Sequence, residues 1–399
     1  MVLARKNAGR HTRLLTFIAL GVGAACSTAA GGAQKDGGGT GGSGVSGAGG
    51  MPAATGGAGG IPVREDAGTP SGGAGGAVAD AGSSDGRGPT RDATVPGDAA
   101  APDGFWEPSN VPAAQNVMMF KFLNRTNGKF SDAEVFWSFK SGSISETHAI
   151  AEQGTYDMPA NSSGRMYFFL CGAATSCTGD PTKSPYYDFI EHTIGAAQYN
   201  GNTTRVDAFG IKLAMRLHCA DGFEATVGED YQTFQEDRAV TFQKFLDEVS
   251  APFQPLAKAP HAPYRIVEPG ADGFKTGGPY ATYYDAFVDA MWANNGLTIA
   301  RPGPNGSGLA SFPDVSAAIF RHVGDVAGSF TPAGKLMNKN LWADPTTFYR
   351  MAPANDYAAF WHRHALGGKA YGFPYDDVGG YSSYISHAKP EYMLVAIGW

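Results

Sequence analysis

Two acidic residues stand in sequence that reads as apolar strand. Tyr187-Asp188-Phe189-Ile190-Glu191-His192-Thr193 and Val206-Asp207-Ala208-Phe209-Gly210 lie on either side of the turn signal Asn200-Gly201. An ionised group enters such a run when it is paired or functional, because an unpartnered charge is costly to desolvate. Glu191 and Asp207 together are what hydrolysis of a glycosidic bond requires. One carboxyl stays protonated to donate to the leaving oxygen, and the other stays ionised to activate water or attack directly. The two must also reach one face. Side chains alternate along a strand, so a two-residue turn at Asn200-Gly201 pairs 191 with 210 and sends Asp207 to the opposite face. An odd loop such as 199–201 pairs 191 with 209 and 193 with 207. Cooperation between the carboxylates therefore calls for an odd or bulged connection at Tyr199–Asn202.

Other chemistries lack their residues. His362-Arg363-His364 has no third ligand nearby, and Cys171, Cys177 and Cys219 show no two-plus-two spacing with the histidines, so no metal or other cofactor is expected. Gly-Pro-Asn-Gly-Ser-Gly at 303–308 has neither the lysine nor the spacing of a phosphate loop. Ser382-Ser383 lacks the surroundings of a nucleophile elbow. In an oxidising compartment the three cysteines amount to one disulfide and one spare thiol, with the pairing left open.

The elements that must hold the pair are β-rich at both ends. Met118–Leu123 and Ala133–Phe139 are short aromatic-rich segments separated by Asn124-Arg125-Thr126-Asn127-Gly128, which is hairpin punctuation. Arg165–Leu170 reads as another strand, Val206–Leu217 as a long one, and Tyr392–Trp399 as the last. Helical spacing appears between them. It joins Phe242, Phe245, Leu246 and Val249, and again Tyr280, Tyr284, Phe287 and Met291 behind Pro279. A third helix opens at the cap Asn355-Asp356 and carries Tyr357, Phe360, Trp361 and His364. These stripes read as core faces, and Trp137, Trp292, Trp342 and Trp361 as core or rim. The pattern is a β-barrel or sandwich with an α/β region inserted at about 230–368, and a cleft between the two is the natural binding site.

The first hundred residues have another character. Arg5, Lys6, Arg10 and Arg13 precede the apolar run Leu14–Ala25, too short to span a bilayer, and Ala24-Ala25-Cys26 ends it. Residues 1–26 are read as a secretory signal. Cys26 is either the acylated N-terminus of a lipoprotein or an incidental cysteine. The chain's 6 Trp, 17 Tyr and 24 Phe all lie from Phe105 onward, Phe17 excepted. Residues 27–104, rich in Gly and Ala, cannot bury enough apolar surface to offset chain entropy and are expected to be a disordered linker with a reach of about 50 Å. The working domain is 105–399, expected to be monomeric. A net charge of −7 gives no electrostatic reason for a nucleic-acid partner.

Taken together, the pieces resemble glycoside hydrolase family 64, the β-1,3-glucanases that release short laminarioligosaccharides and whose β domain is related to thaumatin-like proteins. The likeness is carried by Asn124–Gly128 with Val135-Phe136-Trp137, Gly164-Arg165-Met166-Tyr167, Phe189–Thr193, Asn202–Asp207 and Tyr371-Gly372-Phe373-Pro374-Tyr375-Asp376-Asp377. The resemblance implies a thaumatin-like β-barrel or sandwich, a wide cleft against the α/β insertion, and β-1,3-glucan as partner. It also implies Glu191 as general acid and, sixteen residues later, Asp207 as general base with inversion at the anomeric carbon. Thr193 and Thr204 match sugar-binding threonines, and Asp376 and Asp377 are expected to hold sugar hydroxyls. The sequence departs from the family at His192, where an aromatic or apolar residue is expected. It also departs in Ile194–Tyr199, which lacks the family's cleft asparagine and tryptophan. The implied function is an exported endo-β-1,3-glucanase. The alternatives are a non-catalytic glucan-binding or surface-adhesion module and, less directly, a membrane-active thaumatin-like protein.

Overall fold

A computed structural model describes residues 101–172, 180–295, 313–323 and 345–399. The segments expected as signal (1–26, with Cys26) and linker (27–104, up to residue 100), Cys177, residues 303–308 and Trp342 lie outside the described residues. Thirteen strands are assigned among the described residues: β1 (Met118–Arg125), β2 (Val135–Ser141), β3 (Ile144–Ala149), β4 (Thr155–Met158), β5 (Asn161–Leu170), β6 (Tyr187–Gly195), β7 (Gln198–Thr203), β8 (Ala208–Phe209), β9 (Lys212–Cys219), β10 (Glu224–Gly228), β11 (Ile266–Val267), β12 (Tyr384–Ala388) and β13 (Pro390–Gly398). They form a five-stranded sheet ordered β10-β9-β13-β1-β4, a six-stranded sheet ordered β12-β7-β6-β5-β2-β3, and the small ribbon β11-β8. β1 and β13 run parallel, so the first and last strands lie side by side.

The two large sheets share one apolar core. Phe120, Phe122, Met215, Leu217, Val395 and Ile397 from one sheet meet Trp137, Phe139, Met166, Phe168, Ile190 and Ile194 from the other. Each strand contributes alternate residues, as a two-layer sandwich requires. No closed barrel forms among the described residues; the sandwich alternative holds. On the outer side of the five-stranded sheet, Phe105 and Trp106 pack with Leu123, Phe234 and Leu394.

Sequence and structure part company at three connections. Asn124–Gly128 does not close a hairpin, because β1 and β2 belong to different sheets; the turn carries the chain between layers. Val206–Leu217 is not one strand. Asp188 Oδ2 accepts from the Gly210 and Ile211 N–H groups, and Arg205 donates to Ile211 C=O, so these backbone groups are withdrawn from the ladder and β8 separates from β9. Asn200-Gly201 is not a turn either. The hairpin closes at Ala196-Ala197, with Gly195 opposite Gln198. Gly201 sits mid-strand because a Cβ there would lie 2.3 Å from the Tyr199 hydroxyl and 2.7 Å from Glu191 C=O.

Among the described residues the α-helices are α1 (Asp103–Trp106), α2 (Tyr231–Gln235), α3 (Arg238–Glu248), α4 (Asp285–Asn295), α5 (Pro313–Arg321) and α6 (Asp356–Arg363). Asp237 caps α3 by accepting from Ala239 N–H, and Asn355 caps α6 by accepting from Ala358 N–H. α4 starts at Asp285 rather than behind Pro279, since Tyr280–Tyr284 is spent in turns. A second core gathers Phe242, Phe245, Val288, Met291, Ile319, Tyr357 and Phe360. Trp137 and Trp361 are buried in cores and Trp292 is half-buried. Cys171 is disulfide-bonded while Cys219 is a buried free thiol, which removes Cys219 from the pairing left open above.

Candidate active site

Alternation on β6 sorts its residues cleanly. Asp188, Ile190, His192 and Ile194 point into the sandwich, while Glu191 and Thr193 face outward. His192 is therefore on the far side of the sheet from Glu191. It packs against Phe120 and Phe139, and its Nδ1 pairs with Asn161 Oδ1 at 3.0 Å. Burial pushes its pKa down to about 4, so it is a neutral core histidine. Gly164 makes room for it, since a Cβ there would stand 2.7 Å from the imidazole.

On the outward face Glu191 is flanked by Arg165 on β5 and Asn202 on β7, and Tyr384 on β12 continues the row. The β5–β6 register slips between Asn161 and Gly164, immediately before Arg165. Arg165 Nε donates to Glu191 Oε1 at 2.9 Å, its Nη2 stands 2.8 Å from the same oxygen, and its Cζ lies 4.3 Å from the centre of the Phe189 ring. Its Nη1 is also 3.7 Å from Asp207 Oδ2. One guanidinium thus spans both sequence-predicted carboxylates, with side-chain exposures of 37% for Glu191 and 55% for Asp207. The parity condition drops out: the chain leaves the sheet at Thr203, and Asp207 reaches Glu191 from a loop rather than from a paired strand.

That loop is fixed from beneath. Arg205, buried two residues before Asp207, is held by Asp188 at 2.5 Å and by Glu229, with Nε donating at 2.8 Å. Tyr357 donates to Arg205 C=O at 2.6 Å, and Arg205 N–H donates to Tyr371 C=O at 2.8 Å. Glu229 in turn accepts from Leu213 N–H at 2.7 Å, tying the loop to β9. After Asp207 the chain joins β11, and Glu268 N–H donates to Asp207 C=O at 3.3 Å. Burial, and to a lesser degree the nearby Asp207 charge, push the Glu268 carboxyl up to about 7.

The remaining expected residues divide. Thr193 is exposed on the Glu191 face, opposite Asn200. Thr204 is buried and its Oγ1 accepts from Val206 N–H at 3.2 Å, so it shapes the loop instead of facing solvent. Asp376 is corrected outright: it is fully buried, with Oδ1 accepting from Arg321 at 2.8 Å and Oδ2 contacting His362 Nε2 at 2.9 Å and Gly372 N–H at 2.8 Å. Burial works against its charge, but His362 and Arg321 hold its carboxyl below the usual range. With its carboxylate taken up by protein partners in the interior, it pins the 371–377 loop. Asp377 is exposed and accepts from the Tyr371 hydroxyl at 3.3 Å. Tyr371 lies within electrostatic reach of Glu191, and burial with the Asp377 charge raises its pKa.

Sequence reasoning missed Arg165, Asn202 and Glu268 as parts of this site. Arg165 and Asn202 stood in quoted motifs, but their place beside Glu191 depends on strand register. Glu268 follows the two-residue strand β11, which carries no sequence signal of its own. Among the described residues no group of His, Cys, Asp or Glu side chains is arranged to hold a metal ion, and no helix is long and apolar enough to cross a membrane.

A two-sheet scaffold with an inserted helical region, bearing an arginine-bridged carboxylate pair on its outer face, has the composition of a glycoside hydrolase. The comparisons name the family. Residues 121–308 and 313–397 match the family described as beta-1,3-glucanase, glycoside hydrolase family 64, and the chain belongs to it. Among solved structures it is similar to a laminaripentaose-producing beta-1,3-glucanase of that family from Paenibacillus barengoltzii, at 28% identity and a TM-score of 0.58. The alignment covers 72% of this chain and 77% of that one, and the same values hold for that enzyme complexed with laminarihexaose. A beta-1,3-glucanase domain from Clostridium beijerinckii, 21% identical with a TM-score of 0.58 over 72% of this chain and all of that one, shares the fold. A comparison with curated proteins finds no match.

Proposed function

We propose that this chain is an exported, inverting endo-β-1,3-glucanase that releases short laminarioligosaccharides. The observation that carries the reading is Arg165, which bridges Glu191 on the open sheet face and Asp207 on the following loop within a β-1,3-glucanase family chain. Glu191, once protonated, donates to the glycosidic oxygen as its bond to the anomeric carbon breaks. Asp207 takes a proton from the water that attacks the opposite side. The sugar leaves with inverted configuration, Glu191 is left ionised and Asp207 protonated, and solvent resets both. One guanidinium reaches both carboxylates, and inversion calls for carboxyl groups roughly 6.5–9.5 Å apart, with room for the attacking water. Thr193, exposed on the Glu191 face, and Asp377, exposed beside Tyr371, are groups for sugar hydroxyls. The basic and apolar N-terminal segment supports export, and Cys26 supports a lipid anchor at the cell surface.

The test is Glu191→Gln assayed for reducing sugar from laminarin or curdlan, where turnover should fall at least about a hundredfold. Undiminished turnover would sink the assignment. Proton NMR of the first product should show the α-anomer, and chromatography gives its length. Binding of insoluble glucan by wild type with no product would favour the non-catalytic alternative. Radiolabelled fatty acid should enter the wild-type chain and not Cys26→Ala.

A further inference from the structure

Glu191 has a charged donor on one side and an unmet acceptor on the other. Arg165 on β5 grips its Oε1 through two nitrogens, at 2.9 and 2.8 Å. Directly opposite it on β7 is Asn202, whose Oδ1 is shielded from water and has no hydrogen-bond partner. Native folds seldom leave a buried acceptor unmatched. Side chains of directly opposed residues start from Cβ atoms about 4.5–5.5 Å apart, so an O–H on Glu191 is within reach of that amide oxygen. The ionised carboxylate, an acceptor only, has nothing to offer it.

The other groups around Glu191 do not supply this function. Asp207 approaches from the loop after β7, Tyr371 from the 371–377 loop with its hydroxyl committed to Asp377, and Glu268 acts on Asp207 from beyond β11. His192 is on the opposite face of the sheet. Arg165 offers Glu191 donors only, so it has no acceptor for a proton carried there.

We propose that Asn202 is a positioning residue that holds the reactive proton on Glu191, and that Arg165 passes from Glu191 to Asp207 as that proton arrives. The inference rests on the acid and base roles proposed above. Arg165 Nη1 is already 3.7 Å from Asp207 Oδ2, and a closure of about 1 Å makes a full charge-assisted contact. The two states are then complementary. With Glu191 ionised, Arg165 pairs with it and Asn202 Oδ1 is empty. With Glu191 protonated, its O–H is donated to Asn202 and the cation stabilises the base. Proton transfer to the sugar oxygen returns Glu191 to Arg165.

The two partners pull the acid in opposite directions, and their removal is read in the pH profile of kcat. Asn202→Ala withdraws the acceptor for the protonated form, so the alkaline limb moves down by about one pH unit. Activity then falls about tenfold above the limb and little on its acidic side, with KM unchanged. Asn202→Ser, which keeps an acceptor oxygen, restores part of the limb. Arg165→Gln removes the cation from both carboxylates, so both limbs move up. A uniform loss at all pH values in Asn202→Ala, or limbs unmoved or lowered in Arg165→Gln, overturns the proposal. Carboxyl-¹³C NMR titration of the full-length chain, with Glu191→Gln to assign the signal, reads the same opposed shifts without substrate. Opposed shifts in a wild-type protein that cleaves no glucan would uphold the proton geometry and reject the glucanase reading. Cleavage by wild type with unshifted titrations would do the reverse.

Discussion

Two arginines in this protein each hold two carboxylates, and the molecule uses them in opposite ways. Arg205 lies between Asp188 and Glu229 with all three side chains 5% exposed, whereas Arg165 lies between Glu191 and Asp207 on an open sheet face. The two clusters are built from the same stretches of chain. Asp188 and Glu191 are three residues apart on β6 and so face opposite sides; Arg205 and Asp207 are two apart in one loop. Water decides what each can do. In the interior a separated charge is strongly penalised, so the triad is a fixed joint: burial pushes the Asp188 and Glu229 carboxyls up, and the Arg205 charge opposes it. On the surface an ion pair contributes little, and its partners can be exchanged within a reaction cycle. The buried joint holds the loop so that the exposed cluster can be remade.

The contrast is most easily broken at the joint. Arg205→Met leaves two carboxylates buried around an apolar side chain and should cost roughly 3–5 kcal/mol, seen as a large drop in Tm or a failure to fold. Arg205→Lys should recover only part, because one ammonium cannot replace the fork that serves Asp188, Glu229 and Ile211 C=O. A Met variant with wild-type Tm would show that the triad is not the anchor. The exposed cluster should answer in the other currency. Asp207→Asn is expected to lower kcat by about 10²–10⁴ while Tm stays within about a degree or two. Loss of both together would mean that Asp207 belongs to the fold.

How much of this was legible depended on where each residue's partners lie. Runs such as Met118–Leu123, Arg165–Leu170 and Tyr392–Trp399 were readable as strands because their own side chains fill a core. The start of α6 was readable because Asn355 caps its own helix. Failures came where distant groups intervene. The long strand expected at Val206–Leu217 breaks because Asp188, some twenty residues earlier, takes the Gly210 N–H. Gly201 imitated a turn residue, yet its missing Cβ makes space for the Tyr199 hydroxyl, while the real turn is the plain pair Ala196-Ala197. Asp376 imitated a sugar ligand for the same reason, since Arg321 and His362 are invisible as partners until the chain folds. Glu191 and Asp207 were legible because acids in apolar runs ask for an explanation. Arg165, between them in space, raised no such question.

A smaller effect comes from Glu268, which belongs to neither cluster but touches the exposed one through Asp207. Its carboxyl is raised from the usual 4.5 to about 7, first by burial and then by the Asp207 charge. The folded state therefore holds this proton more tightly than the unfolded chain, and stability falls as pH rises from about 4.5 through about 7, then levels off. Glu268→Gln, which mimics the neutral form, should match wild type near pH 4 and exceed it by on the order of 3 kcal/mol at pH 8. Thermal melts of the two proteins across that range measure the difference. A constant difference would mean that Glu268 titrates normally and sits in wetter surroundings than its partners indicate.

The smallest expected change tests the open side of the comparison. Arg165→Met removes both contacts to Glu191 and the charge facing Asp207, but keeps an apolar body over the Phe189 ring. All three charged side chains are more than a third exposed, so water and counterions replace what the guanidinium supplied, and the fold should lose under about 1 kcal/mol. Equilibrium urea unfolding of this variant beside Arg205→Met compares one arginine with two carboxylates in water against the same arrangement in the core. If the two variants lose similar stability, burial is not what separates the clusters, and Arg165 is as much a joint as Arg205. If Arg165→Met unfolds like wild type, the surface cluster contributes little to the fold. Its arginine is then free to move between Glu191 and Asp207 without loosening the sheet that carries them.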